Sequence, residues 1–376
     1  MIDSEIVVGT GFRIVVSKEE LASRLAIVAR GVSTRTAVLV LSGIQLRAEG
    51  NQLHLAATDM DVSLRASMDA QVSEEGIVVV PGRLLLDIAR SLPDGDVVIE
   101  HRPEEAIVSV TAGQAGYRLH TYSSEDFPRL PETAATSLHA VDRDALVDTI
   151  TRVGRSASRD ESRPVLTGIL VRFEQSKIVM AATDSYRLAV KETPVTGELP
   201  ELDAIIPARA LQELTRIASS ADEVELGLQE NHVIFAADGV VLTTRRIDGQ
   251  FPNYRQLLPE SFEYELTLPR GELLDVVRRA AVMIQRSTPL QLRFADGELT
   301  VIARTHEVGE SKESMPVAFA GDPLEIGFNA DFLREGLESI SGDDARVKLI
   351  SPLRPAVLQG ESGDFTYLVM PIRLPG

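Results

Sequence analysis

The sequence predicts an α+β protein built from three tandem copies of one unit, each with two helices and about eight short strands. Three observations carry this reading. Ala56-Ala57-Thr58-Asp59 recurs as Ala181-Ala182-Thr183-Asp184, about 125 residues further on. That offset is one ordinary domain length, far longer than the units of a solenoid. Val79-Val80-Pro81 leads into an apolar-periodic stretch, as Ile205-Ile206-Pro207 does later, and proline is tolerated where a helix starts. Phe127-Pro128 with Leu130-Pro131-Glu132 returns as Phe251-Pro252 with Leu258-Pro259-Glu260. The Leu-Pro-Glu punctuation sets expected boundaries at 1–132, 133–261 and 262–376.

In the first unit, Phe12-Arg13-Ile14-Val15-Val16 alternates as a strand does. Ser17 and Glu20 have capping-box spacing and open a helix over 18–29, with Leu21, Leu25 and Val28 on one stripe. Strands are expected at 38–46, 52–57, 62–66 and 77–80, a helix at 82–90, and strands at 97–100, 107–110 and 117–121, with Pro93-Asp94-Gly95 as a turn. The second unit repeats the order with a helix over 144–157, strands at 169–171 and 178–180, the stretch 181–190, and a helix over 208–218. In the third, helices at 270–283 and 331–340 sit among strands at 290–294, 299–303, 326–328, 347–350, 356–358 and 365–370. Asn329 stands there in place of the helix-opening proline.

A chain of 376 residues with 44% hydrophobic and 25% charged content is long enough for two or three cores. No apolar run approaches a membrane span and the N-terminus lacks a signal pattern, so no membrane contact and a cytoplasmic location are expected. The absence of cysteine removes disulfides, thiolate nucleophiles and cysteine-ligated zinc. Lys and Arg number 38 against 56 Asp and Glu, a net charge of −18. Such a chain binds a polyanion only if its basic side chains are gathered on one surface.

No catalytic constellation stands out. Asp59, Asp61 and Asp184 could act as carboxylate bases, yet Asp after Ala-Ala-Thr at a strand end is what a turn uses. The six histidines stand apart, Gly9-Thr10-Gly11 lacks the rest of a dinucleotide loop, and neither a phosphate loop nor a nucleophile elbow is present. The expectation is no enzyme, no metal and no cofactor. Arg152, Arg155 and Arg159 follow at three and four along the helix from Asp144, opposite Leu146, Ile150 and Val153. They either face phosphates or complement a helix C-terminus. Arg24, Arg30 and Arg35 in the first unit, and Arg278, Arg279 and Arg286 in the third, occupy the corresponding region. At the chain's end, Pro371 stops a strand and leaves Ile372 and Leu374 as apolar residues that need a surface.

Several motifs together resemble the bacterial DNA polymerase III beta subunit family, the sliding clamps. They are Ala182-Thr183-Asp184-Ser185-Tyr186-Arg187-Leu188-Ala189-Val190, Asp248-Gly249 with Phe251-Pro252 and Tyr254-Arg255, and the terminal Val369-Met370-Pro371-Ile372-Arg373-Leu374. The resemblance covers essentially the whole chain. It implies three clamp domains of helices packed on antiparallel sheets, closing a ring as a head-to-tail homodimer around duplex DNA. The interface would use Tyr117 and Leu119 on one side and Val282 and Met283 on the other. It also implies a pocket between the second and third domains, walled by Leu166, Thr183, Tyr186, Arg187, Leu188, Pro252, Leu257, Leu368, Met370, Pro371, Ile372 and Arg373. That pocket takes short linear peptides from the polymerase III alpha subunit, the clamp loader and repair polymerases. Arg24, Arg35, Arg152 and Arg159 are the DNA-facing candidates. Ser185 departs from the glycine that many members carry. The alternative reading is a clamp-fold paralogue acting as an inhibitor-binding or decoy module.

Overall fold

A computed structural model describes residues 11–33, 37–131, 137–174, 176–195, 201–285, 288–305 and 309–374. Seven α-helices form among them: α1 Lys18–Val28, α2 Gly82–Ser91, α3 Arg143–Gly154, α4 Pro164–Thr167, α5 Ala208–Ile217, α6 Arg270–Ala281 and α7 Ala330–Ser339. Leu21, Leu25 and Val28 of α1 are fully buried, the stripe that the spacing predicts. The capping box at Ser17 is not made, since its side chain accepts no hydrogen bond; Glu19 and Glu20 in the first turn still complement the helix dipole. Asn329 does cap α7, accepting from Phe332 N at 3.1 Å. No helix among the described residues is long and apolar enough to cross a membrane.

The chain forms two compact units, one of residues up to 143 with 213–246, the other of 144–212 with 247–376. In the first, a five-stranded sheet runs Gln71–Glu74, Phe12–Ser17, Asp96–Arg102, Ile107–Ala112, Ala115–His120. Beside it an eight-stranded sheet runs Leu138–Asp142, Glu223–Leu228, His232–Ala237, Val240–Arg245, Val62–Asp69, Gln52–Thr58, Gly43–Glu49, Gly76–Pro81. The second unit's eight-stranded sheet runs Asp203–Pro207, Gly168–Glu174, Lys177–Thr183, Arg187–Pro194, Phe365–Val369, Ala356–Gln359, Asp344–Leu349, Tyr264–Pro269. Its four-stranded sheet runs Gly309–Pro316, Glu298–Thr305, Leu290–Ala295, Leu324–Phe328.

Each eight-stranded sheet therefore joins four strands of the middle repeat to four of a neighbour. One seam pairs Val62 with Thr244 and Ser63 with Thr243. The other pairs Arg187 with Val369 and Leu188 with Leu368. Three tandem repeats thus pack as two units, because backbone ladders run through the repeat boundaries. Seven strands were not placed from the sequence: Gln71–Glu74, Leu138–Asp142, Glu223–Leu228, His232–Ala237, Val240–Arg245, Tyr264–Pro269 and Gly309–Pro316. The predicted strand at 38–46 begins instead as a 3-10 turn, Leu39–Ser42, and becomes extended at Gly43.

Candidate functional site

The second seam starts at the Thr-Asp turn. Thr183 Oγ1 donates to the Arg187 carbonyl at 2.6 Å and accepts from Ser185 N at 3.1 Å. Asp184 Oδ1 accepts from Tyr186 N at 2.9 Å and from Arg187 N at 3.1 Å. The two side chains close the turn that their sequence suggests, and Ser185 is held at a φ of 81°. A left-handed backbone at this position explains why a glycine suits it.

Arg187, at 8% exposure, is fixed on every side. Its Nε donates to Asp184 Oδ2 at 3.0 Å and its Nη2 to the Arg155 carbonyl at 2.5 Å. Its Nη1 donates to Glu335 and, at 3.4 Å, to the Tyr367 hydroxyl. The guanidinium lies 4.4 Å over the Phe332 ring. Burial opposes its charge, but Tyr367 and Glu335 outweigh that and raise its pKa. Burial pushes the Tyr367 phenol up to about 12, against the pull of Arg187. Arg187 is thus a strut that pins the turn to α3 and α7.

Above this strut the surface is apolar. Tyr186 is 62% exposed and stacks on Phe332 with centroids 6.5 Å apart. Met370 N donates to the Tyr186 carbonyl at 2.9 Å, so the chain leaving the last strand stays beside the turn. Leu188 and Leu368 are buried in one cluster with Tyr254, and Val165 and Phe251 pack against it. Tyr254 lies in the turn Tyr254–Leu257, so Leu257 is carried next to the same cluster and stays exposed. Pro252, also exposed, shapes that turn, its carbonyl accepting from Tyr254 N at 2.7 Å. Leu166 is buried, and its carbonyl accepts from Ser158 N.

The tail crosses the edge of the four-stranded sheet. Ile372 N donates to the Gly327 carbonyl at 2.8 Å. A Cβ on Gly327 would lie 2.7 Å from the Ile372 carbonyl and 2.8 Å from Leu374 Cδ2, so only glycine admits this crossing. Leu374 thereby finds its surface, while Ile372 and Arg373 remain exposed and Pro371 half-buried. Phe332 and Glu335 belong to this site and were not anticipated. Their only signal is position: the first turn and middle of the helix opened by Asn329.

The arginine candidates are more occupied than the stripe suggests. Arg152 donates to Asp148 at 2.7 Å and to the Ser339 carbonyl at 2.9 Å, and the exposed Arg155 to Glu338 at 2.6 Å, so both tie the end of α3 to α7. Arg24 donates to the Asp238 carbonyl at 2.9 Å. Arg159 is exposed, and Arg35 lies outside the described residues. Tyr117 and Val282 are exposed at 38% and 82%, Met283 is half-buried, and Leu119 points into its own core at 4%.

Three family models match in succession: the DNA polymerase III beta subunit N-terminal domain over 12–131, its central domain over 140–253 and its C-terminal domain over 255–373. A Streptomyces coelicolor protein named as a beta sliding clamp is 33% identical, the match covering 97% of this chain and 100% of that one. The Caulobacter crescentus beta sliding clamp superposes with a TM-score of 0.92 at 29% identity, covering 97% of this chain and 100% of that one. A Pseudomonas aeruginosa sliding clamp bound to griselimycin does so with 0.88 at 29%, covering 97% and 100%. End-to-end identity with a named clamp and three consecutive domain matches establish that the chain belongs to the DNA polymerase III beta subunit family, the beta sliding clamps.

Proposed function

We propose that two copies of the chain close head to tail into a ring around duplex DNA and tether the replicative polymerase through the groove at the second seam. The repeats, taken as residues 1–132, 133–261 and 262–376, number six in such a ring. The observation that carries the reading is a pair of unused sheet edges. In both eight-stranded sheets, the strand after the third strand of one repeat pairs with a strand of the next. Gly309–Pro316 is the third repeat's counterpart of Val62–Asp69 and Arg187–Pro194, and it ends its sheet with one side open among the described residues. Ala115–His120 ends the five-stranded sheet in the same way. A third seam between these edges on different copies satisfies both, and a heterologous contact that closes leaves no free end. Tyr117, Val282 and Met283 lie on or beside those edges and are the proposed interface residues. Leu119 supports the strand from within.

Holding by encirclement needs no base contacts. Phosphate contacts stay weak enough for sliding, and Arg159 is the most accessible of the DNA-facing candidates among the described residues. The groove offers Tyr186, Leu257, Met370 and Ile372 as an exposed apolar set over the Arg187 strut. It suits short peptides rich in Gln, Leu and Phe from the polymerase III alpha subunit, the loader and repair polymerases. Burying two such side chains yields roughly 3 to 6 kcal/mol, whereas a micromolar complex needs about 8. Polar contacts supply the rest, so partners exchange readily. To test the ring, the protein is loaded on circular DNA and the DNA is then cut. Retention lost on linearisation supports the reading, and retention that does not fall refutes it.

A further inference from the structure

The first unit holds a groove of about 870 Å3 that the clamp reading does not use. It lies between one face of the eight-stranded sheet and the segment from Ser124 to Leu130. The sheet registers Arg47 opposite His54, and His54 opposite Ser67. Beside them Gln45 is opposite Ala56, Ala56 opposite Arg65, and Arg65 opposite Val241. The matching face of the second unit's sheet is closed by apolar packing: Leu170 stands where Gln45 does, Val179 where His54 does and Val190 where Arg65 does. The same fold thus seals one face and leaves the other open and polar.

The groove's chemistry is mixed. Leu130 and the edge of the buried Phe127 give it an apolar side, while Arg47, Arg65 and Arg129 outnumber Glu49 and Glu125 along its walls, in a chain whose net charge is −18. Arg47 Nη2 meets Glu49 at 2.8 Å, but its Nε is buried and finds no acceptor among the described residues. The Arg47 side chain is 41% exposed, so the outer part of its guanidinium can take a second carboxylate through a charge-assisted bond. Arg129 is exposed on the opposite wall. A long polyanion such as nucleic acid is repelled by the acidic chain beyond the groove, whereas a short peptide with a few carboxylates is not.

We infer that this groove docks an acidic linear segment of a partner protein, its carboxylates meeting Arg47 and Arg129 and its apolar side chains packing on the partly buried Leu130. The site is independent of the groove at the second seam. The test uses fluorescein-labelled peptides of glutamate alternating with leucine or phenylalanine, titrated onto the full chain by fluorescence anisotropy. Binding is expected to weaken about tenfold in Arg129→Glu and further in Arg47→Gln/Arg129→Glu, to fall with added salt and to be unchanged by Leu257→Asp. Arg129 is exposed, so its replacement leaves the fold intact, which an unchanged melting temperature checks. The proposal is overturned if no peptide binds up to about 1 mM, if affinity survives the double substitution, or if it follows Leu257→Asp. It is equally overturned if single-stranded DNA displaces the peptide while binding more tightly.

Discussion

The two seams share a backbone and differ in what they display. At the first, Thr58 Oγ1 donates to the Val62 carbonyl, Asp59 Oδ1 accepts from Asp61 N and Val62 N, and Met60 sits at a φ of 82°. Every one of these bonds has its counterpart at Thr183, Asp184 and Ser185. The next strand closes each turn alike, Arg245 N donating to the Asp61 carbonyl at 3.0 Å and Met370 N to the Tyr186 carbonyl at 2.9 Å. The side chains then diverge. The first seam has Ser63 opposite Thr243 where the second has Leu188 opposite Leu368, and Ser63 donates to Thr58 in a buried hydroxyl chain. Its rim is Asp61 and Arg245 where the second has Tyr186 and Met370. The repeat supplies a rigid frame, and a few side chains decide whether that frame carries an apolar groove.

The largest effect should come from the strut. Arg187→Ala leaves Asp184 and Glu335 without their buried partner and should cost about 3 to 5 kcal/mol. Val62→Ala at the matching place should cost about 2. Hydrogen exchange across the Arg187–Val369 and Val62–Thr244 ladders reads both, and equal losses would break the comparison. Next, Tyr186→Ala or Leu257→Asp should weaken a Gln-, Leu- and Phe-containing peptide by about 2 kcal/mol or more, while Asp61→Ala does nothing; calorimetry decides. Ser185→Gly should stabilise by up to about 1 kcal/mol through relief of its positive φ, and Met60→Gly similarly, seen as raised urea midpoints.

The last contrast is in acid. Lys191 is buried at the second seam and contacts Asp364 at 2.6 Å and Asp148 at 3.4 Å; its first-seam counterpart is Ala66. Burial pushes Asp364 up, but Lys191 and Ser362 hold it below its ordinary 3.8. A depressed carboxylate stabilises the fold fully above its unfolded pKa, and that stability is lost as the pH falls through the folded value. Acid should therefore open the second seam before the first, and Asp364→Asn should flatten that response. Exchange measured from neutral pH downward shows which ladder loosens first.

Much of this was legible in the chain. The Ala-Ala-Thr-Asp repeat marked both seams, and the family resemblance brought the stretch 181–190 beside the C-terminus, where Arg187 pairs with Val369 and Leu188 with Leu368. Gly309–Pro316 was missed because its polar and charged residues suit an edge and carry no apolar alternation. Leu138–Asp142 is likewise an edge strand. Phe332 and Glu335 were invisible because a helix's core-facing and site-facing residues share one period. The partners of the arginine stripe were not legible because spacing reports a common face and not what the face meets; Arg152 and Arg155 meet α7. That ladders would run through the repeat boundaries could not be read from either repeat alone.

The most direct test of the account exchanges the rims. Tyr186→Asp with Met370→Arg gives the second seam the rim of the first while leaving its backbone bonds in place. Calorimetric titration with the Gln-, Leu- and Phe-containing peptide should then show binding lost, with circular dichroism and DNA retention unchanged. Peptide affinity equal to that of the unaltered chain would contradict the assignment of the groove.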